Sequence, residues 1–213
     1  MNLDFLRVDS GDAVAHSPME GQARAAGARF EVRDGFNVAV DFAGPGGADE
    51  RVGWADVSHL TKLELQGSAD IIGELPFGTA VRRDGAWWCR LTQTRALVVG
   101  ERPELTESDD LKVIDVTCNF AAITLVGPHA RETFARFCAL DLRPKVTPVS
   151  ALRPGSIGRQ PGLVIREDED RYLFLFGWAT GEYMWSVVAD AAGHLGGGPI
   201  GVDALREVSA AHA

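Results

Sequence analysis

The sequence is poor in the residues that build disulfide and metal sites. It contains three cysteines, Cys89, Cys118 and Cys138, an odd number with no Cys-x-x-Cys pair. This argues against a disulfide framework and a thiolate zinc site, and predicts three reduced cysteines buried in the core. The five histidines show neither a His-Glu-x-x-His spacing nor a Ser/His/Asp arrangement. We therefore expect neither a zinc centre nor a hydrolytic triad.

Basic residues and long apolar runs are also scarce. The chain carries 21 Lys and Arg against 30 Asp and Glu, a net charge of −9, and its cations form no cluster. Nucleic acid is therefore a poor candidate partner. No run of 18 apolar residues is present, and the start "MNLDFLRVDSGDAVAH" is acidic instead of basic. These features predict no membrane association and a cytoplasmic protein.

The clearest positive feature is an internal repeat. Residues 54–67, "WADVSHLTKLELQG", return as residues 114–127, "IDVTCNFAAITLVG", and both copies contain Asp-Val-Ser/Thr, a strand pattern and a final glycine. In the first copy, Leu63 and Leu65 alternate with Lys62 and other polar residues, which predicts a strand with one wet face. The second copy is more apolar, which predicts a more central strand.

Each copy continues into a predicted helix. Ser68 is a plausible N-cap in the first copy, and Pro128 marks the helix start in the second. A closing helix is predicted from Thr180, as its cap, to Gly193. A further capped helix that runs into a strand is predicted over residues 17–32.

A hairpin is predicted after each of the two helices. Residues 84–100 and 160–177 each contain two apolar runs separated by a polar turn, and each ends in glycine. Arg90 and Arg166 take equivalent places in the two hairpins. The sequence leaves open whether they bind an anion or cover the sheet edges with their aliphatic stems.

These patterns predict an α+β fold made of two pseudo-symmetric β-α-β-β repeats, whose antiparallel sheets have helices packed on them. We expect an N-terminal tail over residues 1–16 and a first half over 17–110, which holds the N-terminal helix and the first repeat. Residues 111–206 form the second repeat with the closing helix, and 207–213 form a C-terminal tail. No clean linker separates the halves, so they are expected to share a core.

Several segments resemble one protein superfamily. The runs "GARF", "DFAGP", "ADVSHLTKLELQGSAD" and "PIGVDALR" resemble the folate-binding part of the aminomethyltransferase of the glycine cleavage system. The middle of the chain, above all "CALDLRP" at residues 138–144, is most similar to the gamma subunit of heterotetrameric sarcosine oxidase. The order of the segments carries the resemblance, because each short motif is weak alone.

The resemblance implies tetrahydrofolate-linked one-carbon metabolism, in a complex with flavin-containing oxidase subunits that act on N-methylated amines. The strand that supplies the catalytic carboxylate in the aminomethyltransferases reads Trp87-Trp88-Cys89-Arg90 here, and Asp84 lies in a turn. A small subunit with no catalytic residue and no tightly bound cofactor is therefore the leading hypothesis. The alternatives are a stand-alone tetrahydrofolate-dependent aminomethyltransferase or demethylase, and a module that senses folate.

The same resemblance suggests where folate would bind. It places Ser58 and His59 beside the ligand channel, although a histidine at a strand start is also commonly structural. It aligns "REDEDRY" with a loop from which an acidic side chain meets the pterin ring, which makes Glu169 or Asp170, with Arg166 beside them, further candidates. A carboxylate suits this role because it can accept two N–H bonds from the pterin. A solvated hairpin tip is the alternative, because the family's Gly-Tyr-Thr-Gly lead-in is absent.

Overall fold

A computed structural model of the chain describes residues 13–43, 51–106 and 108–205. The predicted C-terminal tail, the glycine-rich part of the loop after residue 43 and most of the N-terminal tail lie outside these ranges. The strands are β1 (Ala15–His16), β2 (Ala28–Arg33), β3 (Phe36–Phe42), β4 (Gly53–Asp56), β5 (Thr61–Gly67), β6 (Val81–Arg83), β7 (Ala86–Arg90), β8 (Arg95–Gly100), β9 (Leu111–Asp115), β10 (Phe120–Val126), β11 (Leu152–Ile157), β12 (Gln160–Asp168), β13 (Arg171–Gly177) and β14 (Gly198–Pro199). The α-helices are α1 (Glu20–Ala25), α2 (Ala69–Ile72), α3 (Ala130–Ala135) and α4 (Gly181–Gly193).

Two larger sheets carry the repeat. The first has the order β6-β7-β8-β5-β9 and the second the order β11-β12-β13-β10-β4-β14, and a small third sheet has the order β1-β3-β2. Apart from β14, which pairs parallel with β4, neighbouring strands in the two larger sheets are antiparallel. The predicted α+β class and its pseudo-symmetric repeats are confirmed.

Each repeat contains one more strand than predicted, so the unit is β-α-β-β-β. The additional strands are β6 and β11, and each joins the next strand through a two-residue turn. The turn residues Asp84-Gly85 and Gly158-Arg159 all have positive φ. This is the backbone of a tight hairpin whose twist matches its strands. The sequence showed the Asp-Gly turn, but a strand as short as β6 leaves too little periodicity to detect.

The two sheets exchange their leading strands. β4 precedes β5 in the chain but pairs with β10 in the second sheet, and β9 precedes β10 but pairs with β5 in the first. The predicted boundary at residue 110 therefore does not separate the sheets. The "WADVS" and "IDVTC" segments are the places where the chain crosses from one sheet to the other.

Apolar residues form three layers of core around these sheets. One core lies between the sheets and includes Val99 from β8 and Leu173 from β13. A second packs α1, α3 and α4 on the outer face of the second sheet, and a third packs α2 on the outer face of the first. β10 is apolar nearly throughout because both of its faces are covered. No helix in the described ranges has the length and apolar character needed to cross a bilayer.

Some local predictions need correction. The tail predicted over residues 1–16 ends in β1, which pairs parallel with β3. Ser68 and Thr180 stand at the N-cap positions of α2 and α4, but neither makes a side-chain capping bond. Cys89 and Cys138 are buried as expected, whereas the prediction for Cys118 is wrong because this residue is exposed in the short 3-10 helix Thr117–Asn119.

Candidate functional site at the strand crossovers

The candidate site begins with two equivalent turns, which we call the first crossover (residues 56–62) and the second crossover (residues 115–122). In the first, the Asp56 Oδ1 atom accepts a hydrogen bond from the Ser58 N–H at 2.9 Å. In the second, the Asp115 Oδ1 atom accepts one from the Thr117 N–H at 3.0 Å. An aspartate that bonds to the backbone two residues on fixes a turn, which explains why both copies begin with this residue.

The two crossovers also bind each other. The Ala122 N–H donates to the Ser58 Oγ atom at 3.1 Å, and the Lys62 N–H donates to the Thr117 Oγ1 atom at the same distance. Backbone hydrogen bonds follow the same pattern. The Val57 N–H donates to the Ala122 carbonyl and the Val116 N–H donates to the Lys62 carbonyl, both at 2.9 Å. Each hydroxyl therefore satisfies a buried donor of the other repeat.

The copies differ at the position occupied by Lys62 in the first and Ala122 in the second. Lys62 is fully buried, and its Nζ atom donates to the Ser58 carbonyl at 2.7 Å. Burial lowers the pKa of Lys62 to about 8, although the negative charge of Asp56 acts in the opposite direction. The first crossover thus places an ammonium group inside the protein where the second has a methyl group.

Asp56 is the acidic counterpart of this lysine. Its Oδ2 atom accepts a short hydrogen bond from the Ser17 hydroxyl, which ties the start of α1 to the crossover. Burial raises the pKa of Asp56, while the bonds from Ser17 and Ser58 oppose the rise. For Asp115, burial also raises the pKa, but bonds from Thr117 and from an exposed arginine outweigh it and the net direction is downward. Only the first copy therefore combines a half-buried acid whose pKa is raised with a fully buried base.

His59 lies next to this pair at the edge of a small pocket. Ser17 and Asp56 also line the pocket, together with residues of β2 and β3, and its volume is about 10 Å³. A space of this size holds about one water molecule, whereas pockets for small organic ligands have volumes of roughly 300 Å³ or more. The pocket is closed to a pterin ring in this conformation.

The second group of predicted ligand residues lies elsewhere. Glu169 and Asp170 are exposed at the tip between β12 and β13, beside Gly127 at the far end of β10. Ser58 contacts Ala122 of β10, five residues before Gly127, so the two groups are separated by roughly 17 Å along the strand. The structure brings Ser58 and His59 together but does not bring the hairpin carboxylates to them.

Arg166 is buried beneath this tip, and its guanidinium group bonds to backbone carbonyls. It donates to Thr147, Asp168 and Glu169 oxygens at 2.8, 3.2 and 2.7 Å. The equivalent Arg90 donates to carbonyls of its own turn and of the loop after α2. Both arginines therefore tie a hairpin to the loop that follows the preceding helix, and neither is arranged to bind an anion.

Sequence reasoning missed the buried Lys62, the raised pKa of Asp56 and the hydrogen bond from Ser17 to Asp56. Lys62 was assigned to a wet strand face, which is wrong because its side chain faces the core between the sheets. The repeat itself contains the signal, because the equivalent residue Ala122 is apolar and the same position in both copies should face the same environment. Among the described residues, no three His, Cys, Asp or Glu side chains group as metal ligands.

A larger cavity lies on the outer face of the first sheet. Its volume is about 390 Å³, and it is lined by Leu63, Val113 and the extended segment 102–106. None of the predicted site residues reaches it.

Comparison with known proteins rests on structure, because no family model and no curated protein matches the sequence. The glycine cleavage system aminomethyltransferase T from Bartonella henselae superposes with a TM-score of 0.70 at 15% identity. The match covers 90% of this chain and 61% of that protein chain. This chain has the aminomethyltransferase fold.

A chain of the heterotetrameric sarcosine oxidase from Corynebacterium sp. U-96, solved with pyrrole 2-carboxylate, is similar as well. It superposes with a TM-score of 0.64 at 19% identity, and the match covers 84% of this chain and 95% of that one. The aminomethyltransferase fold therefore occurs at nearly this length in the sarcosine oxidase. This chain spans only about three fifths of the aminomethyltransferase.

Proposed function

We propose that this chain is a non-catalytic subunit of a sarcosine-oxidase-like complex, which oxidises N-methylated amines and passes the one-carbon unit to tetrahydrofolate. The observation that carries the proposal is that the match covers 95% of a sarcosine oxidase chain. The aminomethyltransferase has the same fold but is a longer chain, of which the match covers only 61%. Flavin, and any other redox cofactor, would be bound by the partner subunits.

The crossover geometry supports a scaffolding role. The Ser58 hydroxyl, the Arg166 guanidinium and the Asp56 carboxyl all bond to groups of this same chain. A catalytic carboxylate would have to reach the folate nitrogen, whereas Asp56 lines a pocket of about 10 Å³ that is too small to admit folate. These contacts stabilise the exchange of strands between the sheets.

The alternative is a stand-alone tetrahydrofolate-dependent aminomethyltransferase or demethylase. The buried Lys62 and the half-buried Asp56 favour it, since perturbed acid and base groups are commonly found at functional sites. For this alternative we propose His59 as the folate contact, because it lines the pocket beside Asp56. Glu169 and Asp170 would contact the same folate molecule only if its far end extended from His59 to the tip between β12 and β13.

One pair of measurements distinguishes the two functions. Tetrahydrofolate is titrated into the isolated chain by calorimetry, and the tagged chain is purified from its own organism and assayed for bound flavin and for sarcosine oxidation. We expect no folate binding by the isolated chain and recovery of an amine-oxidising flavoprotein. Micromolar folate binding with one-carbon transfer by the isolated chain would refute the subunit proposal.

The variant His59→Ala makes this test specific, with His129→Ala as a control at a half-exposed histidine before α3 in the second repeat. If the alternative is correct, His59→Ala weakens folate binding and His129→Ala leaves it unchanged. If the subunit proposal is correct, neither substitution changes the amount of flavoprotein recovered.

A further inference from the structure

Two loops on one side of the molecule form a single surface, which we call the loop platform. It consists of residues 73–79, which follow α2, and residues 144–150, which follow α3. The loops are equivalents in the two repeats and are joined directly, since the Ala80 N–H donates to the Ser150 carbonyl at 2.8 Å. The platform therefore lies where the two halves of the repeat meet.

Guanidinium groups hold the platform in shape. Arg153 donates to the Gly78 carbonyl at 2.6 Å and to the Val146 carbonyl at 2.9 Å, so it joins the two loops. Arg90 donates to two carbonyls of the first loop, and its guanidinium carbon lies 3.9 Å from the centre of the Phe77 ring. The loops are thus fixed before any partner binds, which lowers the entropy cost of association.

The platform presents apolar side chains to solvent. Phe77 is 57% exposed, and Val146 and Val149 are 40% and 43% exposed. Because Arg153 bonds to carbonyls of both loops, these exposed side chains stand on two loops that are held side by side. An aromatic residue held in the open within an apolar patch is typical of a protein interface, because burial of such an anchor supplies much of the binding energy.

The platform is also cationic within an acidic chain. Arg90 and Arg153 donate to carbonyl oxygens, and neither forms an ion pair with any residue in the described ranges. Lys145 is exposed beside Val146. The whole chain carries a net charge of −9, and the platform loops themselves contain one acidic residue, the exposed Glu74. The three cations outnumber this acid, so the platform complements an acidic surface.

We propose that the loop platform docks an acidic surface of the flavin-containing oxidase subunit, with an apolar side chain of that subunit packed against Phe77. The identity of the partner rests on the function proposed above. The chemistry of the surface, an aromatic anchor with unpaired cations around it, is read from this chain alone.

The test uses the full-length tagged chain, purified from its own organism at low and at high salt. The measured quantity is flavin absorbance per mole of chain, with the partner identified by mass spectrometry. Phe77→Ser is compared with Val32→Ser, an apolar residue that is 61% exposed on β2. Lys145→Glu is compared with Lys112→Glu, an exposed lysine on β9. Far-UV circular dichroism and the melting temperature verify that every variant is folded.

We expect Phe77→Ser to reduce the recovered flavin about tenfold or more, as removal of an interface anchor does. Lys145→Glu should reduce it several-fold, more at low salt than at high salt, and both control variants should behave like the wild type. Equal recovery by the wild type and both platform variants would overturn the loop platform while leaving the proposed function intact. Recovery of no flavoprotein by the wild type would overturn the proposed function itself.

Discussion

Replacement of Lys62 by methionine should abolish a rise in stability that the wild type shows in mildly alkaline solution. In the folded protein the pKa of Lys62 is lowered to about 8 because the ammonium group is buried, whereas the ordinary value is 10.5. Below pH 8 the lysine is protonated in both states, and the folded protein carries the full cost of the buried charge. Between about pH 8 and pH 10.5 only the unfolded chain keeps the proton, so the free energy of unfolding increases with pH.

The size of this effect follows from the two pKa values. The difference corresponds to about 3 kcal/mol at 1.36 kcal/mol for each pH unit, and Lys62 is fully buried, so solvent screening does not reduce it. Burial raises the pKa of Cys89, Cys138 and Tyr172, and these groups lower stability in alkaline solution. These three groups are present in the wild type and in Lys62→Met, so their effects cancel when the two free energies of unfolding are subtracted. The difference therefore reports on Lys62 alone.

The assay is urea unfolding at half-unit steps from pH 7 to pH 10.5, for the wild type, Lys62→Met and the exposed control Lys145→Met. The free energy of the wild type should increase relative to Lys62→Met by about 3 kcal/mol across this range. Lys145→Met should run parallel to the wild type. A difference between wild type and Lys62→Met that stays constant with pH would refute the assignment of a buried, deprotonating lysine.

Substitutions at four further positions test the packing and the hydrogen bonds. Gly201→Ala should destabilise the protein by several kcal/mol, because a Cβ there would overlap the Val40 carbonyl. Gly21→Ala, at an open position of α1, should stabilise it by about 0.5–1 kcal/mol. Chemical denaturation measures both effects. Ser58→Ala should cost about 1–3 kcal/mol, because it leaves the Ala122 N–H unpaired, and amide hydrogen exchange at that residue should accelerate. Arg166→Lys should unfold nearly as readily as Arg166→Ala, since an ammonium cannot reach three carbonyls at once; rescue by lysine would show that charge alone matters.

The repeat could be predicted because its signals are local. The Asp-Val-Ser/Thr segments, the apolar runs and the terminal glycines each act over a few residues, and they gave the fold class and the two long hairpins. The exchange of β4 and β9 between the sheets could not be predicted, since strand pairing over long distances leaves no mark in periodicity. For the same reason the sequence could not show that the Lys62 side chain is buried, because the residues that cover it come mostly from the other sheet.

The candidate site was predictable only in part for a similar reason. Ser58 and His59 are adjacent in sequence and stay together in the fold. Glu169 and Asp170 were grouped with them through family resemblance, and the register of β10 with β13 places them at the opposite end of the strand. Ser17 reaches Asp56 through a contact between segments 39 residues apart, which a pattern in one sequence does not reveal.

The strand exchange also fixes the order in which the protein can be completed during synthesis. β4 leaves the ribosome before β5, yet its partner β10 follows only after α2 and all five strands of the first sheet, residues 61–115, have been made. The first sheet can close as soon as β9 emerges, while β4 and its Trp54 side chain must remain without their neighbour until the second half arrives. A nascent chain of this fold therefore presents β4 without its β10 neighbour while residues 57–126 are being made, which is about a third of its elongation.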